Sequence, residues 1–319
     1  MKGVFFMAEQ LKINIPEETC LITIRTQNSK LWFVNNKPLE EEILGYLAKY
    51  QTIYQVILYG FILMGNHYHL IGKFPKGNRS KFTKAFNRIF ANVLTRHEDD
   101  YEGGHVWGRR CRPQALPRNE DILHWFFYTV CNPISSGLVE SINDYTSFNS
   151  FSLSLSGEKK SYLLIDWDDY NNRKRYNSKL KPNDCAKLYD LTFSRLPGYE
   201  DLSQEAYKDF LLKEYSRRSA DIITKRTKEG KGFVGKEKLS QVKAGSAPKH
   251  TKTSTRWSKR PLVLTLCDIT RSNYLSNYFK IERLYREASR KYRQGNLKVK
   301  FPAGTFRPTC LIGQSGVLA

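Results

Sequence analysis

The chain has 319 residues and a formal net charge of +21, with 40% hydrophobic and 13% aromatic residues. Such a composition can build a packed core, and no stretch nears the ~20 apolar residues of a membrane span. Folding does not need 52 Lys and Arg against 31 Asp and Glu, so the excess points to a polyanionic partner, nucleic acid before an anionic membrane surface.

At roughly 150 residues per domain the length fits about two domains. Residues 20–26 alternate and are β-branched, which predicts a strand. Residues 38–51 predict an amphipathic helix with Pro38 and acidic residues in its first turn. Two strands follow, at 54–63 and 67–73, joined by a tight Gly65-Asn66 turn. Helical spacing of Phe82, Phe86, Ile89, Phe90 and Val93 predicts a helix over 79–96. A fourth strand is expected at 105–116, then a helix from an Asn119 N-cap to about Asn132. This β-α-β-β-α-β order is the split-βαβ plan: an α+β, ferredoxin-like antiparallel sheet with helices on one face.

The character changes after Phe151. A serine-rich loop is expected at 152–161, and helix-like, tyrosine-rich pieces at 162–225. The stretch 211–260 carries 15 Lys and Arg against 4 Asp and Glu, and 228–260 should be flexible without a partner. A last helix is expected at 276–293. The chain therefore divides into a catalytic-sized unit at 15–150 and a basic, partly helical and partly flexible DNA-binding extension at 151–319. The six cysteines are widely spaced with no C-x-x-C pair, which argues for buried thiols in a reducing cytoplasm.

Three local elements can carry chemistry. His67 and His69 are i and i+2 on a strand, so both side chains take one face and can share a cation; alone, such a pair more often caps a sheet edge or sits satisfied in the core. Tyr128 and Asn132 are i and i+4 on the expected helix, which pairs a nucleophilic hydroxyl with an amide ligand; alone, Phe126-Phe127-Tyr128 fits an aromatic core stripe. Between them, Trp107-Gly108-Arg109-Arg110 offers two arginines for phosphates, or a solvated basic edge beside a core tryptophan.

Their order is more specific than any one of them. Met64-Gly65-Asn66-His67-Tyr68-His69-Leu70, then Trp107-Gly108-Arg109-Arg110, then Tyr128 to Asn132-Pro133, Gly137 and Val139 resemble the single-tyrosine HUH transposases. The nearest likeness is to the REP-associated tyrosine transposases, related to small insertion-sequence transposases. The resemblance covers about residues 15–150. It implies His67 and His69 as ligands of Mg²⁺ or Mn²⁺, Asn132 as a third polar ligand, and Tyr128 as the nucleophile. It departs from the family at Gly65, where proline is usual, and at Ser135, where a basic residue is common.

The implied activity is cleavage and rejoining of single-stranded or hairpin DNA through a 5′-phosphotyrosine link. Palindromic repeats are the expected partner, in the cytoplasm on the nucleoid, by a monomer or a homodimer. A domesticated binder of palindromic hairpins that no longer cuts is the alternative. Arg109, Arg110, Arg256, Trp257, Lys259 and Arg260 are expected DNA contacts, with Tyr274 a further stacking surface. Tyr101 and Tyr162 stand next in line as nucleophiles.

Overall fold

The computed structural model describes residues 10–248 and 261–308. Strand β1 spans Thr19–Arg25. Helix α1, Lys37–Tyr54, starts where Asn36 accepts a hydrogen bond from Leu39 N at 3.0 Å. It runs three residues past the expected end, and Tyr54 belongs to it rather than to a strand. The reason is packing: Tyr46, Tyr50 and Tyr54 stack one turn apart, and Tyr54 meets Phe82 edge-on at 6.1 Å. Gln55, at φ 52°, then turns the chain out of the helix.

Strands β2, Ile57–Met64, and β3, His67–Lys73, form the expected hairpin. Helix α2 spans Arg79–His97. Strand β4 is only Gln114–Leu116, not 105–116. The lost stretch holds Arg109, Arg110, Arg112 and Pro113, which neither alternate nor favour a ladder; upstream, only Trp107 bridges, to Thr26. The four strands form one antiparallel sheet in the order β2-β3-β1-β4, which is the split-βαβ order.

The two faces are covered differently. A bulge between Leu58 and Gly60 shifts β2 so that Leu58, Phe61 and Leu63 share a face with Ile22, Ile24, Tyr68 and Leu70. Helices α1 and α2 close this face with Leu47, Phe82, Phe86 and Phe90; each fully buried ring or leucine contributes about 1.5–3 kcal/mol. Helices on that face alone were expected. The opposite face is covered as well, by α3, Asn119–Val130, whose Ile122, Phe126, Phe127 and Val130 pack on Leu21, Tyr59 and Ile71. Gly60 permits this approach: a Cβ there would meet the Phe126 ring at 3.1 Å.

Helix α3 is capped by Arg118 rather than Asn119, and it stops two residues early. Pro133 has no N–H to donate to Thr129 O, so the α3 ladder cannot run through it, and proline is tolerated only in the first turn of a new helix. The chain breaks at Cys131, and Asn132 opens a separate short helix α4, Asn132–Ser135.

The expected serine-rich loop contains helix α5, Phe151–Ser156, and the start of strand β5, Lys160–Ile165. After α6, Trp167–Lys174, strand β6, Ala186–Leu191, pairs with β5. The pair lies on α1, and Tyr162, Leu164, Leu191 and Phe193 join the same core as α2. Helix α7, Gln204–Lys228, packs Tyr207 and Leu211 beside Phe151. A short α8, Lys236–Ser240, precedes a backbone pairing of Gly245 and Ser246 with Leu31. Helix α9, Asp268–Arg293, begins eight residues before its expected start and meets the first described residues through Tyr278, whose hydroxyl donates to Leu11 O. Among the described residues no helix is long and apolar enough to cross a membrane.

Candidate functional site

On β3 the side chains of His67 and His69 share the face that α3 covers, while Tyr68 points into the α1–α2 core. The two imidazoles lie edge-on with ring centroids 4.9 Å apart, and both are buried. Strand pairing sets Thr23 opposite His69 and Arg25 opposite His67. Thr23 and Arg25 therefore project onto the histidine face.

Neighbouring groups fix which ring nitrogen carries the proton. Asn66 Nδ2 donates to Ser29 O at 3.0 Å, so its Oδ1 is the atom that accepts from His67 Nδ1 at 2.7 Å. His69 Nε2 accepts from Asn132 Nδ2 at 3.3 Å, which leaves the proton on Nδ1, against Thr23 Oγ1 at 2.6 Å. In this arrangement His67 carries its lone pair on Nε2, the form in which an imidazole binds a metal, while the His69 Nε2 lone pair is turned to the Asn132 amide.

Tyr128 comes to this face from α3, with its ring 5.6 Å from that of His69. It is 43% exposed, unlike the other tyrosines weighed as nucleophiles. Tyr68 is fully buried and its hydroxyl donates to Asn87 Oδ1. Tyr101 and Tyr162 are buried, and burial raises both hydroxyls above the usual tyrosine range. Neither stands as an alternative.

Asn132 reaches His69 although it is not on the tyrosine helix. Its position is held from far along the chain. Arg226 of α7 donates to Ser135 O at 3.1 Å and to Gly232 O at 2.7 Å, and its guanidinium lies 4.9 Å from the centre of the Phe233 ring. Val234 N and Gly235 N donate to Gly137 O and Leu138 O, each at 2.9 Å. Gly137 has φ 73°, and the Arg226 guanidinium fills the space a Cβ would need. Gly137→Ala should therefore cost roughly 1–3 kcal/mol from left-handed backbone alone, plus the displaced arginine, as read by urea denaturation.

One turn before Tyr128, His124 is held below the usual histidine range, by burial first and by Arg218 second. Its folded pKa lies below the reference 6.5, so the unfolded chain takes the proton first. Stability should fall as pH drops below about 6.5 and level off below the folded pKa. In His124→Gln that part of the acid limb should vanish in urea titrations across pH 7 to 4.5.

The remaining expected contacts separate from this face. Arg109 and Arg110 line a cleft on the α2 side of β1. Tyr274 lies apart from this face, half-buried: its hydroxyl donates to Glu18 at 2.9 Å, and burial drives it far above the usual tyrosine range. Arg256, Trp257, Lys259 and Arg260 lie outside the described residues. Sequence reasoning missed Thr23, Arg25 and Arg226. Only the β1–β3 register reveals the first two, and the third acts across 91 residues.

No protein-family model matches the chain, and no curated protein matches it in sequence. A solved structure of a REP-associated tyrosine transposase bound to a REP hairpin is similar over 47% of this chain and 86% of that one, with TM-score 0.41 and 17% identity.

Proposed function

We propose that this protein cuts and rejoins single-stranded or hairpin DNA, with Tyr128 as nucleophile and a divalent cation held by His67, His69 and Asn132. The observation that carries the reading is one exposed tyrosine beside two adjoining imidazoles, drawn from elements about sixty residues apart. The ordered motifs around these residues and the charge of +21 support a DNA substrate.

The residues fit a hard to borderline divalent ion. Two imidazoles and one amide meet on one face; to ligate, Asn132 would turn its Oδ1, which here accepts from Ser136, toward the ion and release His69 Nε2. Water and phosphate oxygens would complete the shell, as Mg²⁺ and Mn²⁺ accept. When bound, such an ion polarises a non-bridging phosphate oxygen and offsets the charge that develops there.

The chain's own groups do the rest. Arg25, exposed opposite His67, pairs with the phosphate and orients it. Thr23 and Asn66 hold the two rings. The Tyr128 hydroxyl loses its proton and attacks phosphorus. An O–P bond forms to the tyrosine, the bond to the 3′ oxygen breaks, and that oxygen takes a proton. The resulting 5′-phosphotyrosine keeps the energy of the phosphodiester, so a second 3′-OH can reverse the step without a nucleotide cofactor.

The test is to incubate the protein with single-stranded DNA from the regions flanking its gene and either Mg²⁺ or Mn²⁺. A protein–DNA adduct that survives denaturation, mapped by mass spectrometry to the peptide carrying Tyr128, is the expected result. Hairpin binding with no adduct in either metal would leave the non-cleaving binder instead.

A further inference from the structure

We propose that the cleft between α2 and residues 105–113 is a second DNA site that grips the backbone of the single strand flanking the cut. The proposal rests on the reading above for the identity of the polyanion. Its own evidence is separate.

One face of α2 supplies a wall of this cleft through Arg79, Thr83, Lys84 and Asn87, and the facing segment supplies Trp107, Arg109 and Arg110. With Lys12, five Lys and Arg side chains line it, and no carboxylate is among the described lining residues. A smaller hollow shares Lys12, Arg79 and Arg110 with it and adds Arg112. The one carboxylate there, Glu18, is engaged by Arg79 at 3.1 Å and by Tyr274.

Arg79 anchors the shared wall of the two hollows. It is 93% buried, since its relative exposure is 7%, yet its Nε has no hydrogen-bond partner. A buried guanidinium donor without an acceptor is costly, and Arg79 lines both hollows. That nitrogen is closed off from solvent and the Nη atoms donate to Glu18 and Ile13 O, so Arg79 lends charge to both hollows while the exposed Lys84, Arg109 and Arg110 make the direct contacts. Thr83 and Asn87 add neutral polar groups beside the half-buried Trp107, which suits a sugar–phosphate backbone and base edges better than a bare inorganic ion.

The cleft is also placed to receive a strand leaving Tyr128. Ile24 lines it, and the next residue, Arg25, faces the histidines. Gly108 N donates to Arg25 O at 3.0 Å, so the edge of the cleft abuts the residue opposite His67. A single strand crossing that edge passes from one face of the sheet to the other. Trp107 Nε1 donates to Asn87 O at 3.0 Å and holds the two walls together.

The experiment uses the full chain carrying Tyr128→Phe, so that binding is read without covalent capture. Anisotropy of a labelled single-stranded flank is measured over a salt series, with and without Lys84→Ala plus Arg109→Ala. Loss of two phosphate contacts should weaken binding about tenfold near 0.1 M salt and flatten the log–log salt slope by about 1.4. If the double variant loses its native circular dichroism, Lys84→Gln and Arg109→Gln are read singly, each expected to flatten the slope by about 0.7. A flank carrying photoreactive 5-iodouracil should crosslink to peptides within 79–87 or 105–113. An unchanged affinity and slope, or crosslinks only elsewhere, would overturn the proposal. Adduct formation by the unmodified chain is scored separately. Its absence with normal flank binding counts against Tyr128 alone, and its presence with unchanged binding in the variants counts against the cleft alone.

Discussion

Tyr128→Phe should reduce covalent adduct by on the order of a thousandfold or more, because a nucleophile cannot be replaced by a neighbour. The substitution removes one oxygen from a ring that is 43% exposed and packs against Trp125 and His69, so folding and DNA binding should persist. The other tyrosines near the sheet cannot substitute. Tyr68 and Tyr145 donate to Asn87 and Leu63 O, and Tyr101 and Tyr162 are buried. Adduct of wild-type yield in the variant, measured on denaturing gels with the same labelled strand, would remove Tyr128 from the chemistry.

The second large effect is expected at the histidines. His69→Ala removes the imidazole that touches both Thr23 and Asn132, and His67→Ala removes its partner. Either change should abolish adduct at millimolar Mn²⁺, as chelator should for the unaltered protein. Asn132→Ala should be milder, since water can take the place of one neutral ligand. Thr23→Val is the more discriminating change. It keeps the shape and strand preference of residue 23 but removes the hydroxyl 2.6 Å from His69 Nδ1. Groups that orient a ligating histidine typically account for 10–100-fold in metal affinity. The Mn²⁺ midpoint for adduct formation should therefore rise by about that factor while the plateau is kept. Full activity of wild type in excess chelator would defeat the metal assignment.

Much of the sheet was legible because period-2 and period-3.6 patterns were strong where both faces of an element are committed. The span 67–73 of β3 was read to the residue, and Phe82, Phe86 and Phe90 marked the buried face of α2. The misreadings have local causes. Tyr54 looks like a strand former but is held in α1 by its ring contacts with Tyr50 and Phe82. Residues 105–113 carry too many arginines to pair, so β4 shrank to three residues. The β5–β6 pair was missed because its outward positions include Leu163 and Leu188, which blur the alternation that would have announced a strand.

The candidate residues His67, His69 and Tyr128 were nominated by short-range motifs, and the fold brings the three rings together. What holds them was not legible. Thr23 and Arg25 acquire meaning only through strand register, and Arg226 only through a contact with Ser135. Asn132 shows the difference sharply. Its spacing from Tyr128 suggested one helix face, yet a break at Cys131 separates them, and a different route brings the amide to His69.

The brace on that amide has a consequence for the order in which the molecule is made. Strands β1 to β4 and the tyrosine helix are all synthesised by residue 130, and such a segment can collapse while translation continues. The groups that pin the turn after Asn132 are Arg226, Val234 and Gly235, made about a hundred residues later. A half-made chain therefore has its two histidines and Tyr128 while the turn after Asn132 still lacks the contacts from Arg226, Val234 and Gly235. The final arrangement appears only when the second half emerges from the ribosome, so a prematurely terminated product lacks that brace.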